Sequence, residues 1–139
     1  MGIFNFLTQE IAIDLGTANT LIIAHDKVMV DEPSIVAIDR KTEKVIAVGK
    51  RAMQMHEKTH ENIKTIRPLR DGVIADFQAA ESMIRGMISM IFPKNKLFKP
   101  SLVMVICIPS GITEVEKRAV KDSAEQAGAR EAYLIHEPM

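Results

Sequence analysis

The chain has 139 residues, of which 47% are hydrophobic and 26% charged, as expected for one soluble globular domain, or part of one, with a real core. Its 18 basic and 18 acidic side chains balance, so no overall field recruits nucleic acid, and no apolar run approaches the ~20 residues of a membrane span. The start lacks a signal peptide and the single cysteine, Cys107, excludes an internal disulfide framework, which together favour a cytoplasmic protein.

Residues 1–10 form a short amphipathic segment. On a helix, Ile3, Phe4 and Leu7 would share one face, with Phe6 at its edge. Such a segment can lie in a membrane interface or pack on the domain, and these residues alone leave both open.

The stretch Ile-Ala-Ile-Asp-Leu-Gly-Thr-Ala-Asn-Thr, residues 11–20, predicts a strand, a tight polar turn and the start of a second strand. Gly16 lets the backbone approach a ligand closely, and the side chains of Thr17 and Asn19 with successive N–H groups can cradle phosphate oxygens. Asp14 leaves the end of the first strand, where a carboxylate can hold a hydrated Mg²⁺ beside that phosphate. An ordinary hairpin, with Asp and Asn as turn formers, is the alternative.

A small meander and a helix are predicted next. The predicted elements are strands at Lys27–Val30, Ser34–Asp39 and Lys44–Val48, then a short helix from Lys50 to about Asn62. Ile66–Gly72 contains Pro68 and Gly72 and predicts a crossover segment.

A clear helix is predicted after Asp76, which suits an N-cap. Its apolar residues fall at helical spacing: Phe77, Ala80, Ile84, Met87, Ile88 and Ile91. Gly86 should weaken this helix by roughly 1 kcal/mol, and Pro93 should end it.

A strand, a capped helix and a second strand follow. Leu102–Ile108 is nearly all apolar, as a strand buried on both faces would be. Thr113 and Glu116 predict a capping box for a helix closed by Gly128, and Tyr133–Ile135 predicts the last strand. This order implies a βαβ unit with a parallel pair of strands.

The segment His56-Glu-Lys-Thr-His60 matches the His-Glu-x-x-His pattern of zinc peptidases, in which both histidines share one helix face. The surrounding residues are polar, and no third ligand stands out. We therefore favour an exposed helix with solvent-facing histidines over a zinc site.

Glu137 follows the last predicted strand and precedes a proline. In α/β sheets, ligands collect at the carboxyl ends of strands, where such a carboxylate could orient a water. An exposed surface acid is the alternative. His25 and His136 flank strand ends and are expected at the surface or at hinges.

A family resemblance extends these patterns. Residues 11–20 resemble the first phosphate loop of the actin and sugar-kinase ATPase superfamily, whose usual form is Asp-x-Gly-Thr/Ser. Four further blocks are similar, in order, to the MreB family of bacterial cell-shape actin homologues: Asp31–Ser34, Ile66–Asp76, Leu97–Pro100 and Glu137–Met139. The blocks span nearly the whole chain, so they are more specific than the first loop alone.

The resemblance implies an α/β fold of the actin-like, ribonuclease H-like ATPase class, incomplete at the C-terminus. Residues 11–31 and 76–139 would form part of subdomain IA, residues 32–75 the inserted α+β subdomain IB, and residues 1–10 the amphipathic segment.

The implied function is that of an ATP-dependent filament protein at the cytoplasmic face of the inner membrane. It would assemble with copies of itself and organise membrane-bound proteins of cell elongation and wall synthesis. The residue roles carried over are Asp14 for Mg²⁺ and the catalytic water; Gly16, Thr17, Ala18 and Asn19 for the ATP phosphates; Glu137 for the attacking water; and Phe4, Phe6, Leu7, Leu97 and Phe98 for membrane contact.

Three departures limit the resemblance. His136 stands where many relatives have an acid, and His56–His60 lies where the family is expected to have nothing metal-like. The chain also stops at Met139, before the second phosphate loop and the adenosine pocket of the family. We therefore expect residues 1–139 alone to bind ATP weakly and hydrolyse it negligibly. The alternatives are a chaperone or sugar-kinase relative of the same superfamily and an interaction module without catalysis.

Overall fold

The computed structural model describes residues 8–57, 61–92, 101–108 and 112–136. Within these residues the strands are β1 (Thr8–Leu15), β2 (Asn19–Ala24), β3 (Lys27–Pro33), β4 (Val36–Asp39), β5 (Val45–Val48), β6 (Ile63–Ile66), β7 (Leu69–Arg70), β8 (Val73–Ile74), β9 (Ser101–Ile108) and β10 (Ala129–His136). The helices are α1 (Lys50–Glu57), α2 (Phe77–Ile91) and α3 (Glu114–Gln126).

A five-stranded sheet in the order β10-β9-β1-β2-β3 forms the main layer. The first three strands of the chain make an antiparallel meander, whereas β1, β9 and β10 run parallel to one another. The predicted βαβ unit is confirmed, because α3 connects the parallel pair β9 and β10. Parallel strands end at a common edge, so Leu15, Ile108 and His136 close the same side of the sheet.

The residues between β3 and α2 form a second sheet and a small hairpin. This sheet has the order β5-β4-β6, and α1 packs against it. Strands β4 and β5 and helix α1 were expected from the sequence, but β6 and the β7–β8 hairpin were not. The Ile66–Gly72 segment, predicted as a crossover, connects β6 of the second sheet towards α2 and contains β7 and the turn of the β7–β8 hairpin. Asp71 and Gly72 form the turn of the β7–β8 hairpin with φ of +52° and +76°, the conformation that an Asp-Gly pair favours in two-residue hairpin turns.

Both predicted helix caps are confirmed. The Asp76 carboxylate accepts a hydrogen bond from the Ala79 N–H at 2.9 Å at the start of α2. At the start of α3, the Thr113 hydroxyl and the Glu116 carboxylate each accept the other residue's backbone N–H. Each helix thus begins with otherwise unpaired N–H groups satisfied by side chains.

Helices α2 and α3 cover one face of the five-stranded sheet. The buried core of this layer combines alternate strand residues with the inner stripes of both helices: Ile11, Ile13, Ile22, Met104, Ile106, Ala80, Met83, Ile84, Met87 and Val120. The predicted stripe of α2 is correct in its middle, but Phe77 at the first turn is 41% exposed. Gly86 serves a contact, because a Cβ there would lie 2.8 Å from Cγ2 of Val48 in the second sheet. Glycine thus destabilises the helix at this position but allows α2 and the second sheet to pack closely.

The opposite face of the sheet is more open in the part of the chain that the structure describes. Along β9 the residues alternate between buried and half-buried, and on the same face Ile135 of β10 and Ile23 of β2 are 46% and 38% exposed. The expectation of a strand buried on both faces is wrong here, because the described helices of the main core lie on one side. On the open face, the Tyr133 hydroxyl donates to the Glu131 carboxylate at 2.9 Å, and this hydrogen bond raises the pKa of Tyr133.

Candidate functional site

The loop between β1 and β2, residues 16–19, carries the predicted phosphate-binding motif. The strand–turn–strand prediction is confirmed, with Leu15 paired to Thr20 across the two strands. Gly16 is half-buried, and a Cβ at this position would collide with the Asn19 carbonyl oxygen. The turn itself therefore requires glycine here, in addition to any need for close approach by a ligand.

Two buried hydroxyls lie beneath this loop, and one of them contacts it. Ser34 and Thr20 are both fully buried, and their hydroxyl oxygens are 2.7 Å apart. The Ser34 hydroxyl donates to the Gly16 carbonyl at 2.6 Å, while the Ser34 N–H donates to the Ala18 carbonyl at 2.8 Å. Two carbonyl groups of the loop are thus directed inward by one residue at the end of β3.

The β7–β8 hairpin supports the loop from another direction. The Gly72 N–H donates to the Thr17 hydroxyl oxygen at 2.9 Å. Because this bond uses the hydroxyl as an acceptor, its own proton remains available for a ligand oxygen. Thr17, Ala18 and Asn19 are exposed, so their backbone and the Thr17 hydroxyl are accessible to a ligand, and N–H and O–H donors are the groups that suit a phosphate.

Asp14 lies one residue before the end of β1, on the open face of the sheet. It is half-buried and is paired in register with Leu21 of β2 and Cys107 of β9. The carboxylate and the donor loop are therefore two residues apart at one edge of the sheet. A carboxylate in this place can hold a hydrated divalent cation beside a phosphate that the loop binds.

Several predicted site residues lie outside the described residues. These are the proposed water-orienting Glu137 and the proposed membrane-contacting Phe4, Phe6, Leu7, Leu97 and Phe98. His136 is the last residue of β10, is exposed, and pairs in register with Ile108 at the sheet edge. His25 is exposed in the turn between β2 and β3.

The first histidine of the zinc-peptidase pattern, His56, makes a hydrogen bond within the second sheet and its helix. The His56 ring nitrogen Nδ1 lies 2.6 Å from the Thr65 hydroxyl oxygen, which joins α1 to β6. His60 is outside the described residues. Among the residues that the structure describes, no group of three or more His, Cys, Asp or Glu side chains is arranged to hold a metal ion.

A groove of about 710 Å³ lies between β5 and α2. Val48 and Met90 contribute apolar surface to it, and Arg51 and Arg85 contribute charge. Arg85 is also held in place, because it pairs with the Glu81 carboxylate and donates to the Gln126 carbonyl at the end of α3. None of residues 16–19 lines this groove, so it is separate from the donor loop.

Two residues that hydrogen-bond directly to the loop were not identified as site residues from the sequence: Ser34 and Gly72. For Gly72, the Asp-Gly pair between two short apolar segments was a usable hairpin signal. For Ser34, the residues alone gave no signal, because its contact with Gly16 joins positions 18 apart in the chain.

Comparison with known proteins supplies the family context. The sequence model of the family described as MreB/Mbl protein matches residues 8–139. The chain is 47% identical over 131 residues to the cell shape-determining protein Mbl of Bacillus subtilis (strain 168), covering 94% of this chain and 39% of that protein. It is 47% identical over 137 residues to the cell shape-determining protein MreB of Escherichia coli (strain K12), covering 95% of this chain and 39% of that protein. The chain thus spans about 39% of the length of these relatives.

Solved structures give the same result for the fold. MreB5 of Spiroplasma citri bound to ADP has a TM-score of 0.77 and 38% identity, with 93% of this chain and 38% of that chain covered. The MamK double helical filament has a TM-score of 0.75 at 19% identity, which bears on the fold alone. The predicted actin-like α/β fold is confirmed, as is its partial coverage. None of the described helices is both long and apolar enough to cross a membrane.

Proposed function

This chain belongs to the MreB/Mbl family of actin-like, cell shape-determining proteins, and on that premise we propose that its β1–β2 loop binds the phosphates of ATP. The observation that carries the proposal is the exposed loop, in which the Thr17 hydroxyl proton is available, beside Asp14 at the end of β1. Two related structures support it, because MreB5 of Spiroplasma citri was solved with ADP and with AMPPNP. In this proposal Gly16, Thr17, Ala18 and Asn19 contact the phosphates.

The chain's own residues would act mainly by positioning. The N–H groups of the loop and the Thr17 hydroxyl would donate to phosphate oxygens and fix their orientation. Asp14 fits a hydrated Mg²⁺, which supplies neutralisation of phosphate charge, the main requirement of phosphoryl transfer. Following the family resemblance, Glu137 would orient the attacking water in the complete protein.

At the level of the complete protein, we propose an ATP-dependent filament that shapes the cell. Residues 11–31 and 76–139 would belong to subdomain IA and residues 32–75 to the inserted subdomain IB. Following the family resemblance, copies of the protein would assemble with one another into this filament. Residues 1–10 and the segment Leu97–Phe98 would contact the inner face of the cytoplasmic membrane, where the filament would organise membrane-bound elongation and wall-synthesis proteins.

Nuclear magnetic resonance of the ¹⁵N-labelled chain tests phosphate binding directly. We expect MgADP and MgAMPPNP to bind weakly, because the chain covers about 39% of its relatives, and to shift the amide signals of Thr17, Ala18 and Asn19. Asp14→Asn should weaken Mg²⁺-dependent binding about tenfold, the magnitude of one charged hydrogen bond. When EDTA removes the Mg²⁺, Asp14→Asn should change the affinity for the nucleotide little.

The matched control is Asp122→Asn, which removes one carboxylate from the exposed face of α3. It should leave the affinity for MgADP unchanged. The proposed site would be contradicted if saturating nucleotide shifted amide signals elsewhere but not those of residues 14–19. It would also be contradicted if Asp14→Asn and Asp122→Asn changed the affinity equally. A chain that binds no nucleotide at all would favour the interaction module without catalysis.

A further inference from the structure

One buried residue controls the direction of two peptide groups in the donor loop. The Ser34 hydroxyl donates to the Gly16 carbonyl at 2.6 Å, and the Ser34 N–H donates to the Ala18 carbonyl at 2.8 Å. Since the one hydroxyl proton of Ser34 is used on Gly16, the 2.7 Å contact with Thr20 must be donated by the Thr20 hydroxyl. The proton direction through Thr20, Ser34 and Gly16 is therefore fixed.

The geometry of the peptide bond relates the direction of each carbonyl to that of the next N–H. In a planar trans peptide, the C=O and the N–H that share the bond point in opposite directions. The Gly16 carbonyl points at Ser34, so the Thr17 N–H points away from Ser34, and Thr17 is exposed. The Ala18 carbonyl also points at Ser34, so the Asn19 N–H points to the side of β1 and Gly16, and this second bond fixes the loop without directing a donor to solvent.

We propose that Ser34 is a positioning residue for phosphate binding, which orients the Thr17 N–H towards the phosphates through its side chain and fixes the Ala18–Asn19 peptide through its backbone. The inference rests on the proposed function of the same loop. The two halves of its action are separable, because the side chain of Ser34 holds the Gly16–Thr17 peptide whereas its backbone holds the Ala18–Asn19 peptide. Replacing the side chain should therefore release the first peptide and leave the second in place.

Thr20 provides a matched control within the same pair of hydroxyls. Both residues are fully buried, so Ser34→Ala and Thr20→Val each remove a buried hydroxyl and each should lower the melting temperature. Only Ser34→Ala frees the Gly16 carbonyl. In Thr20→Val the Ser34 hydroxyl still donates to Gly16, so the loop should keep its shape.

The experiment has a ligand-free step and a ligand step. Residual dipolar couplings of the Thr17 and Asn19 N–H bonds, measured on the full chain without ligand, report their orientation. Ser34→Ala should change the Thr17 coupling and keep the Asn19 coupling, while Thr20→Val should keep both. Titration with MgADP should then show about tenfold weaker binding for Ser34→Ala and less than a twofold change for Thr20→Val.

An unchanged Thr17 coupling in Ser34→Ala would overturn the inference, as would equal losses of affinity in both variants. If the wild-type loop binds neither MgADP nor MgAMPPNP, the proposed function fails and the role of Ser34 in phosphate binding fails with it. The couplings distinguish that case, because they are measured without nucleotide. If Ser34→Ala does not fold, Ser34→Cys keeps a weaker donor and should shift the Thr17 coupling in the same direction by less.

Discussion

The two turns at the ends of β2 both reverse the chain between antiparallel strands, but they are stabilised in different ways. The turn before β2, residues 16–19, has ordinary negative φ angles and is supported by Ser34 and Gly72 from elsewhere in the chain. The turn after β2, His25–Asp26, has φ of +54° and +58° at two non-glycine residues, and both are exposed. The first turn owes its shape to distant contacts, whereas the second adopts a local hairpin conformation at some cost. A loop held from outside can keep its donors free for a ligand.

The largest expected effect comes from Gly16→Ala, which places a methyl group inside the supported turn, residues 16–19. A Cβ at this position meets the Asn19 carbonyl, which is backbone and cannot rotate away as a side chain could. We expect the free energy of unfolding to fall by about 1–3 kcal/mol and nucleotide-induced shifts in the loop to be lost. Chemical denaturation and amide spectra measure the two effects.

Gly86→Ala is the matched control for that substitution. Its new methyl group meets the side chain of Val48, between α2 and the second sheet, and leaves the loop untouched. The loop amides should therefore keep their wild-type shifts. A Gly16→Ala protein with wild-type stability would show that the turn adapts on its own, and the contrast between the two turns would disappear.

The contrast between local and long-range contacts also separates the features that the sequence predicted from those that it missed. Local signals predicted the first hairpin, both capped helices and the βαβ unit, because a cap or an apolar stripe depends on residues a few positions apart. The support of the loop depends on contacts between residues 18 and 55 positions apart, which leave no periodic pattern. Strand β6 was missed because its partner β4 is remote and its four residues, Ile63–Ile66, are too few to show a clear alternation.

Thr17→Val sharpens the comparison by removing one outside support while keeping the side-chain shape. The Gly72 N–H loses its acceptor, so we expect a loss of about 0.5–1.5 kcal/mol in stability and faster hydrogen exchange at the Gly72 amide. Binding of MgADP should weaken as well, because the hydroxyl donor is gone. Thr17→Ser keeps the hydroxyl and should preserve Gly72 protection. Equal Gly72 exchange in the Val and Ser variants would show that the hairpin contributes nothing to the loop.

The smallest effect is expected at the unsupported turn, and it has the opposite sign. Asp26→Gly removes the penalty of a side chain at φ of +58° and should raise the free energy of unfolding by about 0.5–1 kcal/mol. Asp31→Gly, at an exposed position within β3, is the control and should lower it by a similar amount, because glycine there only adds freedom to the unfolded chain. Thermal melts of both variants give the sign directly. Stabilisation by Asp26→Gly with unchanged nucleotide binding would show that this turn can be relaxed without affecting the site, since only the turn at the other end of β2 has donors to hold in place.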